Sequence, residues 1–154
     1  MLFKCLSKSL NEKLSKLELV VKNAGSNSLY KNIKIDIINS LAYITSVNAK
    51  VCVIEKLEVE SDSNFSFLVE ASSFIRFVKK QKNGEIKIVL SDKKDSITIY
   101  YASGEYSCPA FDVNTFPMVY NIPDGGINVK MNDYVSVLNK ASNYTEINEL
   151  YPCI

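Results

Sequence analysis

The chain of 154 residues is long enough for one domain of ordinary size, or one domain and part of another, and its 47% apolar residues can form a real core. The formal net charge is only +1, so any attraction to a polyanion must come from charge gathered on one surface. No apolar run is long enough to span a membrane, and the N-terminus lacks the apolar segment of a signal peptide. We therefore expect a cytoplasmic protein.

The chain has no histidine, which removes Ser–His and Cys–His catalysis and the usual zinc sites. Its four cysteines are scattered and form no CxxC pair. Small buried thiols are the favoured interpretation, with a disulfide pair or a metal site as the alternative. The sequence implies no cofactor and no metal. The cysteines are Cys5, Cys52, Cys108 and Cys153.

The first element is a short strand, Leu2 to Leu6, followed by an amphipathic helix. Ser9 and Glu12 have the spacing of a capping box, in which each side chain satisfies the other's free backbone amide. The apolar stripe of the helix consists of Leu10, Leu14, Leu17 and Val21. The lysines outside this stripe are Lys8, Lys13 and Lys16.

Two alternating stretches, Tyr30 to Ile37 and Leu41 to Ser46, are joined by Asn39-Ser40 and predict a hairpin. A third strand spans Lys50 to Glu60, and its change of phase near Ile54-Glu55 predicts a bulge. Acidic side chains gather on this strand and just after it, whereas Lys and Arg gather on the helices. The acidic side chains are Glu55, Glu58, Glu60 and Asp62.

The stretch from Phe65 to Leu90 contains a strand, a helix beginning at Ala71, a stop at Asn83-Gly84 and a second strand. The buried stripe of this helix is predicted to be Ala71, Phe74, Ile75 and Val78. Another face carries Arg76, Lys79 and Lys80, with Lys82 following. Taken alone, this strip is a solvated helix face, and a surface that faces a polyanion is the alternative.

The remaining chain predicts two more strands, Ser96 to Ala102 and Tyr106 to Phe111, and then a stretch rich in Pro and Gly. A domain boundary belongs in that stretch, so we divide the chain into a domain at 1–120, a linker at 121–126 and an incomplete domain at 127–154. The incomplete domain is predicted to open with a strand, Ile127 to Met131, and a helix capped by Asn132 or Asp133. The apolar stripe of this helix is Tyr134, Val137, Leu138 and Ala141.

One pattern occurs three times: an apolar strand, a small or polar cap and an amphipathic helix. The units start at Phe3, Phe67 and Val129, which are 64 and 62 residues apart. The first two units each continue into three further strands. Residues 1 to about 118 are therefore two helix-plus-four-strand halves.

Five short motifs occur in an order that resembles the N-terminal domain of the bacterial DNA polymerase III beta subunit, the sliding clamp. They are Met1-x-Phe3, Asn32-Ile-x-Ile, Phe67-x-Val-x-Ala71-x-x-Phe74, Ser103-Gly104-x-Tyr106-Ser107 and Phe116-Pro117. The last two are the most specific, because such clamps end their first domain with a Gly-x-[Phe/Tyr]-Ser strand and a Phe-Pro shortly after it. The resemblance covers roughly residues 1 to 150.

The resemblance implies an α+β DNA-clamp fold, with two helices packed on two four-stranded antiparallel sheets and an internal pseudo-two-fold repeat. In that family six domains close a ring around duplex DNA, with helices lining the hole and sheets outside, and the protein is a non-enzymatic processivity factor. Basic helices would face the phosphates, and acidic strands would face outward. The implied partners are duplex DNA without sequence preference, further copies in a ring, DNA polymerase and the clamp loader. The candidate DNA-binding residues are Arg76, Lys79, Lys80 and Lys82 on the second helix, and Lys8, Lys13 and Lys16 on the first.

The chain departs from the family in two respects. The family has an arginine that contacts DNA in the loop after the first helix, and Ala24 to Ser28 stand there instead. The family's peptide-binding pocket lies between its second and third domains, and only the opening of the second is expected here. The missing loop arginine and the near-zero net charge keep open a clamp-like protein-interaction adapter that does not encircle DNA. Catalysis by Tyr100-Tyr101, Glu105 and Asp112 is the weakest alternative, because no histidine, metal motif or phosphate loop accompanies them.

Overall fold

The computed structural model describes residues 1–23, 27–81, 83–117 and 129–142. These residues fall in two compact units, Met1–Val119 and Tyr120–Ile154, and each unit is described by itself. The strands are β1 (Leu2–Leu6), β2 (Asn32–Ile38), β3 (Leu41–Val47), β4 (Cys52–Glu58), β5 (Glu60–Ser61), β6 (Phe65–Glu70), β7 (Glu85–Leu90), β8 (Ser96–Tyr101) and β9 (Gly104–Phe111). The α-helices are α1 (Ser7–Lys22), α2 (Ala71–Lys79) and α3 (Met131–Ser142), and short 3-10 turns lie at Ser28–Lys31 and Val113–Thr115.

Strand β1 runs directly into α1, as predicted, and the predicted apolar stripe of α1 is buried. The predicted capping box is wrong, because the N-cap residue is Leu6 and no side chain caps this helix. The first turn is held from another part of the chain. The N–H of Ser7 donates to the carbonyl of Gly84 at 2.8 Å, and the N–H of Gly84 donates to Ser7 Oγ at 3.2 Å.

The predicted hairpin is present as β2 and β3, and both turn residues, Asn39 and Ser40, have positive φ. Such a turn twists in the same sense as the strands that it joins. The bulge predicted near Ile54-Glu55 is wrong, because β3 and β4 pair without interruption from Val47–Cys52 to Leu41–Glu58. The strand breaks later, at Val59, and β5 then pairs with β1 instead of β3.

The second half repeats this order as β6, α2, β7, β8 and β9, and the apolar stripe predicted for α2 is buried. Both carboxylate oxygens of Glu70 cap α2, accepting from the N–H groups of Ser72 at 3.0 Å and Ser73 at 2.7 Å. The helix ends at Lys79, ahead of the predicted stop at Asn83-Gly84. The carbonyls of Phe77 and Val78 are satisfied there by the N–H groups of the residues just after the helix.

The strands follow one another in the order β4-β3-β2-β6-β9-β8-β7-β1-β5. This order contains two four-stranded units, β4-β3-β2-β6 and β9-β8-β7-β1, which a pseudo-two-fold exchanges, and the two-residue β5 beside β1 is a ninth strand beyond the predicted eight. The end of β9 crosses to the first sheet, where Ala110 pairs with Val69. On the other side β5 continues β4 and crosses to the second sheet, where Glu60 pairs with Lys4. The predicted clamp fold is therefore confirmed, with strands that pass from one sheet to the other at both seams.

The hydrophobic core lies between the sheets and the two helices of the first unit. Helix α1 packs on α2 and on β1, β3 and β4, while α2 also packs on β6. Phe3, Phe65 and Phe67 form a cluster with ring centroids 6.1 to 6.4 Å apart, which joins the first strands of the two halves. This packing holds both helices against the sheets and leaves their polar faces exposed.

In the second unit the structure describes residues 129–142, most of them in α3. The helix already begins at Met131, so Asn132 and Asp133 lie in its first turn instead of capping it. The strand predicted at Ile127 to Met131 is absent from the part of it that is described, 129–131. The predicted apolar stripe of α3 is exposed.

Candidate nucleic-acid interface

The exposed sides of α1 and α2 carry most of the predicted DNA-binding residues, and we call this the cationic helix surface. The two helices, with Lys80 just after α2, carry seven cations and two carboxylates. The cations are Lys8, Lys13, Lys16, Lys22, Arg76, Lys79 and Lys80. Lys82, the remaining predicted residue, lies outside the described residues.

Lys79 of α2 is held by a carboxylate of the neighbouring helix. Its ammonium donates to Glu18 Oε2 of α1 at 2.6 Å. Glu18 Oε1 forms an ion pair with the ammonium of Lys22, which lies 3.4 Å away and one helical turn further along α1. The hydrogen bond from Lys79 is the main reason that the pKa of Glu18 lies below its usual value. Lys79 is thus part of a link between the two helices.

Lys13 and Lys16 of α1 are held in the same way by Glu55 of strand β4. Glu55 Oε2 lies 3.1 Å from the ammonium of Lys13, and Glu55 Oε1 lies 3.0 Å from that of Lys16. Burial raises the pKa of Glu55, but the hydrogen bonds from Lys16 and Lys13 outweigh it and leave this pKa below its usual value. The prediction that the acid of this strand faces outward is therefore wrong for Glu55.

The position of Glu55 follows from the uninterrupted register of β4. Without a bulge, side chains of β4 alternate faces, so Glu55 shares the inner face with Val53 and Leu57. The side chain of Ile54 then points outward and is 45% exposed. The outer face of this sheet also carries the Lys34–Asp36 ion pair and the ammonium of Lys56 over the Tyr43 ring, so it is not uniformly acidic.

Three cations of the cationic helix surface, Lys8, Arg76 and Lys80, have no ion pair within the described ranges 1–23, 27–81, 83–117 and 129–142. All three are exposed. Arg76 and Lys80 are four residues apart at the end of α2, a spacing that puts side chains on the same face of a helix. These three cations are the ones immediately available to an anion.

The roles of Glu18 and Glu55 are absent from the sequence prediction. Glu18 could have been found, because it stands four residues before Lys22, the spacing of a helical ion pair. The face of Glu55 has a local signal, because Glu55 alternates in phase with Val53 and Leu57 along β4. Its partner Lys16 has none, because it is 39 residues away along the chain.

The residues of the weakest alternative, catalysis, do not come together. Glu105 lies opposite Tyr100 near the start of β9, whereas Asp112 follows the other end of that strand and caps a 3-10 turn. The two residues are seven positions apart along an extended segment, about 23 Å of backbone. They therefore do not form a pair around one substrate.

Cys5, Cys52 and Cys108 are free thiols, and Cys153 lies outside the described residues. Burial raises the pKa of Cys5 to about 12 and that of Cys108 to about 11. Cys52 is exposed, so the interpretation of small buried thiols is wrong for this residue. In the part of the chain that the structure describes, no three His, Cys, Asp or Glu side chains are grouped as metal ligands would be. None of the helices described there is long and apolar enough to cross a membrane.

Two four-stranded sheets exchanged by a pseudo-two-fold, with a pair of packed helices rich in cations, define a protein of the DNA-clamp class. The family model for the DNA polymerase III beta subunit, N-terminal domain, matches residues 1–122. The chain therefore belongs to the family of DNA polymerase III beta subunits. A search of curated proteins gave no match.

Solved clamp structures share the fold at low sequence identity. The beta subunit of Streptococcus pyogenes has a TM-score of 0.86 at 13% identity, and the sliding clamp of Caulobacter crescentus has 0.85 at 16%; each comparison covers 97% of this chain and 41% of the other. The Helicobacter pylori beta clamp bound to a DNA ligase peptide has 0.83 at 18% identity and covers 96% and 41%. The chain thus spans about two fifths of the length of these relatives.

Proposed function

We propose that this chain is a sliding-clamp module: a non-enzymatic, cytoplasmic processivity factor that surrounds duplex DNA as part of a closed ring. The observation that carries the proposal is the surplus of cations on α1 and α2, the two helices that would face the duplex. Three of these cations, Lys8, Arg76 and Lys80, are exposed and have no ion pair in the described part of the chain. Lysine and arginine contacts to phosphates do not depend on the base sequence of the DNA.

The ring requires association with further clamp domains, because the first unit is a single domain and cannot surround a duplex alone. We propose that residues 121–126 link it to the opening part of a second clamp domain at 127–154. Polymerase and clamp loader are the protein partners that this function implies. The bound ligase peptide of the Helicobacter pylori clamp supports peptide recognition as a further property of the assembled ring.

The proposal is tested by the salt dependence of duplex binding. Fluorescence anisotropy of a labelled blunt-ended duplex would be followed against the whole chain at several salt concentrations. Each phosphate neutralised should contribute about 0.9 to the slope of log affinity against log salt. The variant Lys8→Gln, Arg76→Gln, Lys80→Gln should therefore bind more weakly and lose roughly two to three units of that slope.

A matched control removes three cations from outside the cationic helix surface. Lys56→Gln, Lys93→Gln, Lys94→Gln changes the net charge equally, but these residues lie on β4 and in the turn between β7 and β8. Its slope should stay close to that of the unaltered chain. Equal losses in the two triple variants would refute a specific helix surface, and light scattering that finds only monomers at high concentration would refute the ring.

A clamp-like adapter that holds a protein without encircling DNA is the second candidate. The ion pairs of Lys13, Lys16 and Lys79 favour it, because they leave fewer cations for phosphate than the sequence predicts. The salt dependence of duplex binding distinguishes the adapter from the sliding clamp. An adapter would show no salt-sensitive duplex binding in any oligomeric form.

A further inference from the structure

Two carboxylates hold four of the seven cations on the cationic helix surface. Glu18 lies between Lys79 at 2.6 Å and Lys22 at 3.4 Å. Glu55 lies between Lys13 at 3.1 Å and Lys16 at 3.0 Å. Each carboxylate therefore forms ion pairs with two ammonium groups. In the absence of another anion, these four ammonium groups are already paired.

The placement of Glu55 sets it apart from an ordinary surface acid. It lies on the inner face of β4 between Val53 and Leu57, and its side chain is only 15% exposed. A carboxylate at such a position faces α1, where it meets two lysines and is removed from the outer face of the sheet. Glu18 also pairs with a lysine of another element, because its carboxylate on α1 accepts a hydrogen bond from Lys79 of α2.

Ion pairs of this kind can be exchanged for others at little cost. The four lysine side chains are 31 to 65% exposed, so water and salt screen these pairs and each adds little net stability. A phosphate that approaches the helices would therefore compete with Glu18 and Glu55 for the same ammonium groups. Each lysine taken from its carboxylate costs that carboxylate one of its two ammonium partners, so the gain is smaller than for a lysine that starts free.

We propose that Glu18 and Glu55 act as internal competitors of phosphate that weaken the grip of the cationic helix surface on DNA. This inference rests on the proposed function, since it concerns how strongly the same surface holds the duplex. A ring that slides needs contacts that are attractive and rapidly exchanged. The two carboxylates would keep four lysines near the duplex while limiting their contribution to affinity.

The test replaces each carboxylate by its neutral isostere in the whole chain. The variants are Glu18→Gln, Glu55→Gln and the double variant, and the readout is anisotropy of a labelled duplex over a range of salt. We expect the double variant to bind about tenfold more tightly at low salt and to gain about two units of log–log slope.

Glu12→Gln is the matched control, because Glu12 lies on the exposed side of α1 and has no ion pair in the described part of the chain. It changes the net charge as much as Glu18→Gln does but releases no lysine. Its affinity should stay within about twofold of the unaltered chain. An equal gain for Glu12→Gln and Glu18→Gln would overturn the inference, because net charge alone would then account for it.

A double-mutant cycle keeps the test valid if Glu55→Gln is poorly folded. Lys79→Gln should weaken duplex binding more in the Glu18→Gln background than in the unaltered chain, and equal effects would overturn the inference. If the triple variant of Lys8, Arg76 and Lys80 loses affinity while both carboxylate variants bind as before, the inference fails and the proposed function stands. If neither the unaltered chain nor any variant shows salt-sensitive binding of duplex DNA, the inference and the proposed function both fail.

Discussion

The two helices of the first unit begin at equivalent positions, but only one of them is capped. Leu6 before α1 has φ −76° and ψ 131°, and Glu70 before α2 has φ −65° and ψ 120°. Glu70 accepts two hydrogen bonds from the first turn of its helix, whereas Leu6 has no acceptor. We predict that Glu70→Ala destabilises the protein and that Leu6→Asn is more stable than Leu6→Ala.

The expected magnitudes follow from the geometry of these caps. Replacing a capping acceptor by alanine costs about 0.5–2 kcal/mol, and a negative charge at a helix N-terminus contributes about 0.3–1 kcal/mol more. Glu70→Ala should therefore cost about 1–2 kcal/mol, and Glu70→Gln should cost less because it keeps one acceptor oxygen. Leu6 is 59% exposed, so its truncation removes little buried area. The gain of Leu6→Asn over Leu6→Ala should be about 1 kcal/mol, or roughly 4 °C in Tm.

Urea denaturation followed by circular dichroism measures these differences. Asparagine is chosen over an acid at position 6 because Glu85 lies opposite Leu6 in the sheet.

Burial raises the pKa of Glu70, but hydrogen bonds from Ser73 and Ser72 outweigh it and leave this pKa below its usual value. The contribution of the cap is therefore complete above the ordinary carboxyl pKa and is lost as the pH falls through the lowered one. Equal stability of Leu6→Asn and Leu6→Ala would refute the reasoning.

Three further outcomes are expected. Because the pKa of Glu18 is lowered by its ion pairs, the unaltered chain should lose stability to urea as the pH falls below about 4, and Glu18→Gln should lose less over that range. Gly104→Ala should cost about 1–3 kcal/mol in the same assay, because Gly104 has φ +157° and its added Cβ would lie 3.3 Å from Tyr101 Oη; Tyr101→Phe should relieve only the contact. With the pKa of Cys108 raised by burial from 9.0 to about 11, alkylation near neutral pH should label the exposed Cys52 before Cys108, as peptide mass spectrometry would show, and urea should remove the difference.

The strands and helices of the first unit could be predicted from the sequence because each has its own apolar period. The strand at Glu85–Leu90 and the stripe from Ala71 to Val78 are local patterns; the strand is present and the stripe is buried, as predicted. The repeat and the clamp motifs predicted the pseudo-two-fold order of strands. These features depend on residues close together in the chain.

The errors concern features that depend on distant residues. In place of a side-chain N-cap, the first turn of α1 has two hydrogen bonds with Gly84, 77 residues away from Ser7: Ser7 N–H donates to the Gly84 carbonyl, and Gly84 N–H donates to Ser7 Oγ. The wrongly predicted bulge puts Glu55 on the outer face, whereas the uninterrupted β4 puts it on the inner face, where its partner Lys16 is 39 residues away along the chain. Sequence reasoning therefore named six of the seven cations on the cationic helix surface, and it missed Lys22 and the two carboxylates that hold four of these cations.

The crossing strands of the first unit have a consequence for how its two halves depend on each other. Each half contributes its first strand to the sheet formed by the other half, because β1 pairs with β7 and β6 pairs with β2. This is the arrangement of a domain-swapped dimer, with both partners joined in one polypeptide. Neither half retains a complete sheet without the other, so we expect residues 1–117 to fold and unfold as one cooperative unit.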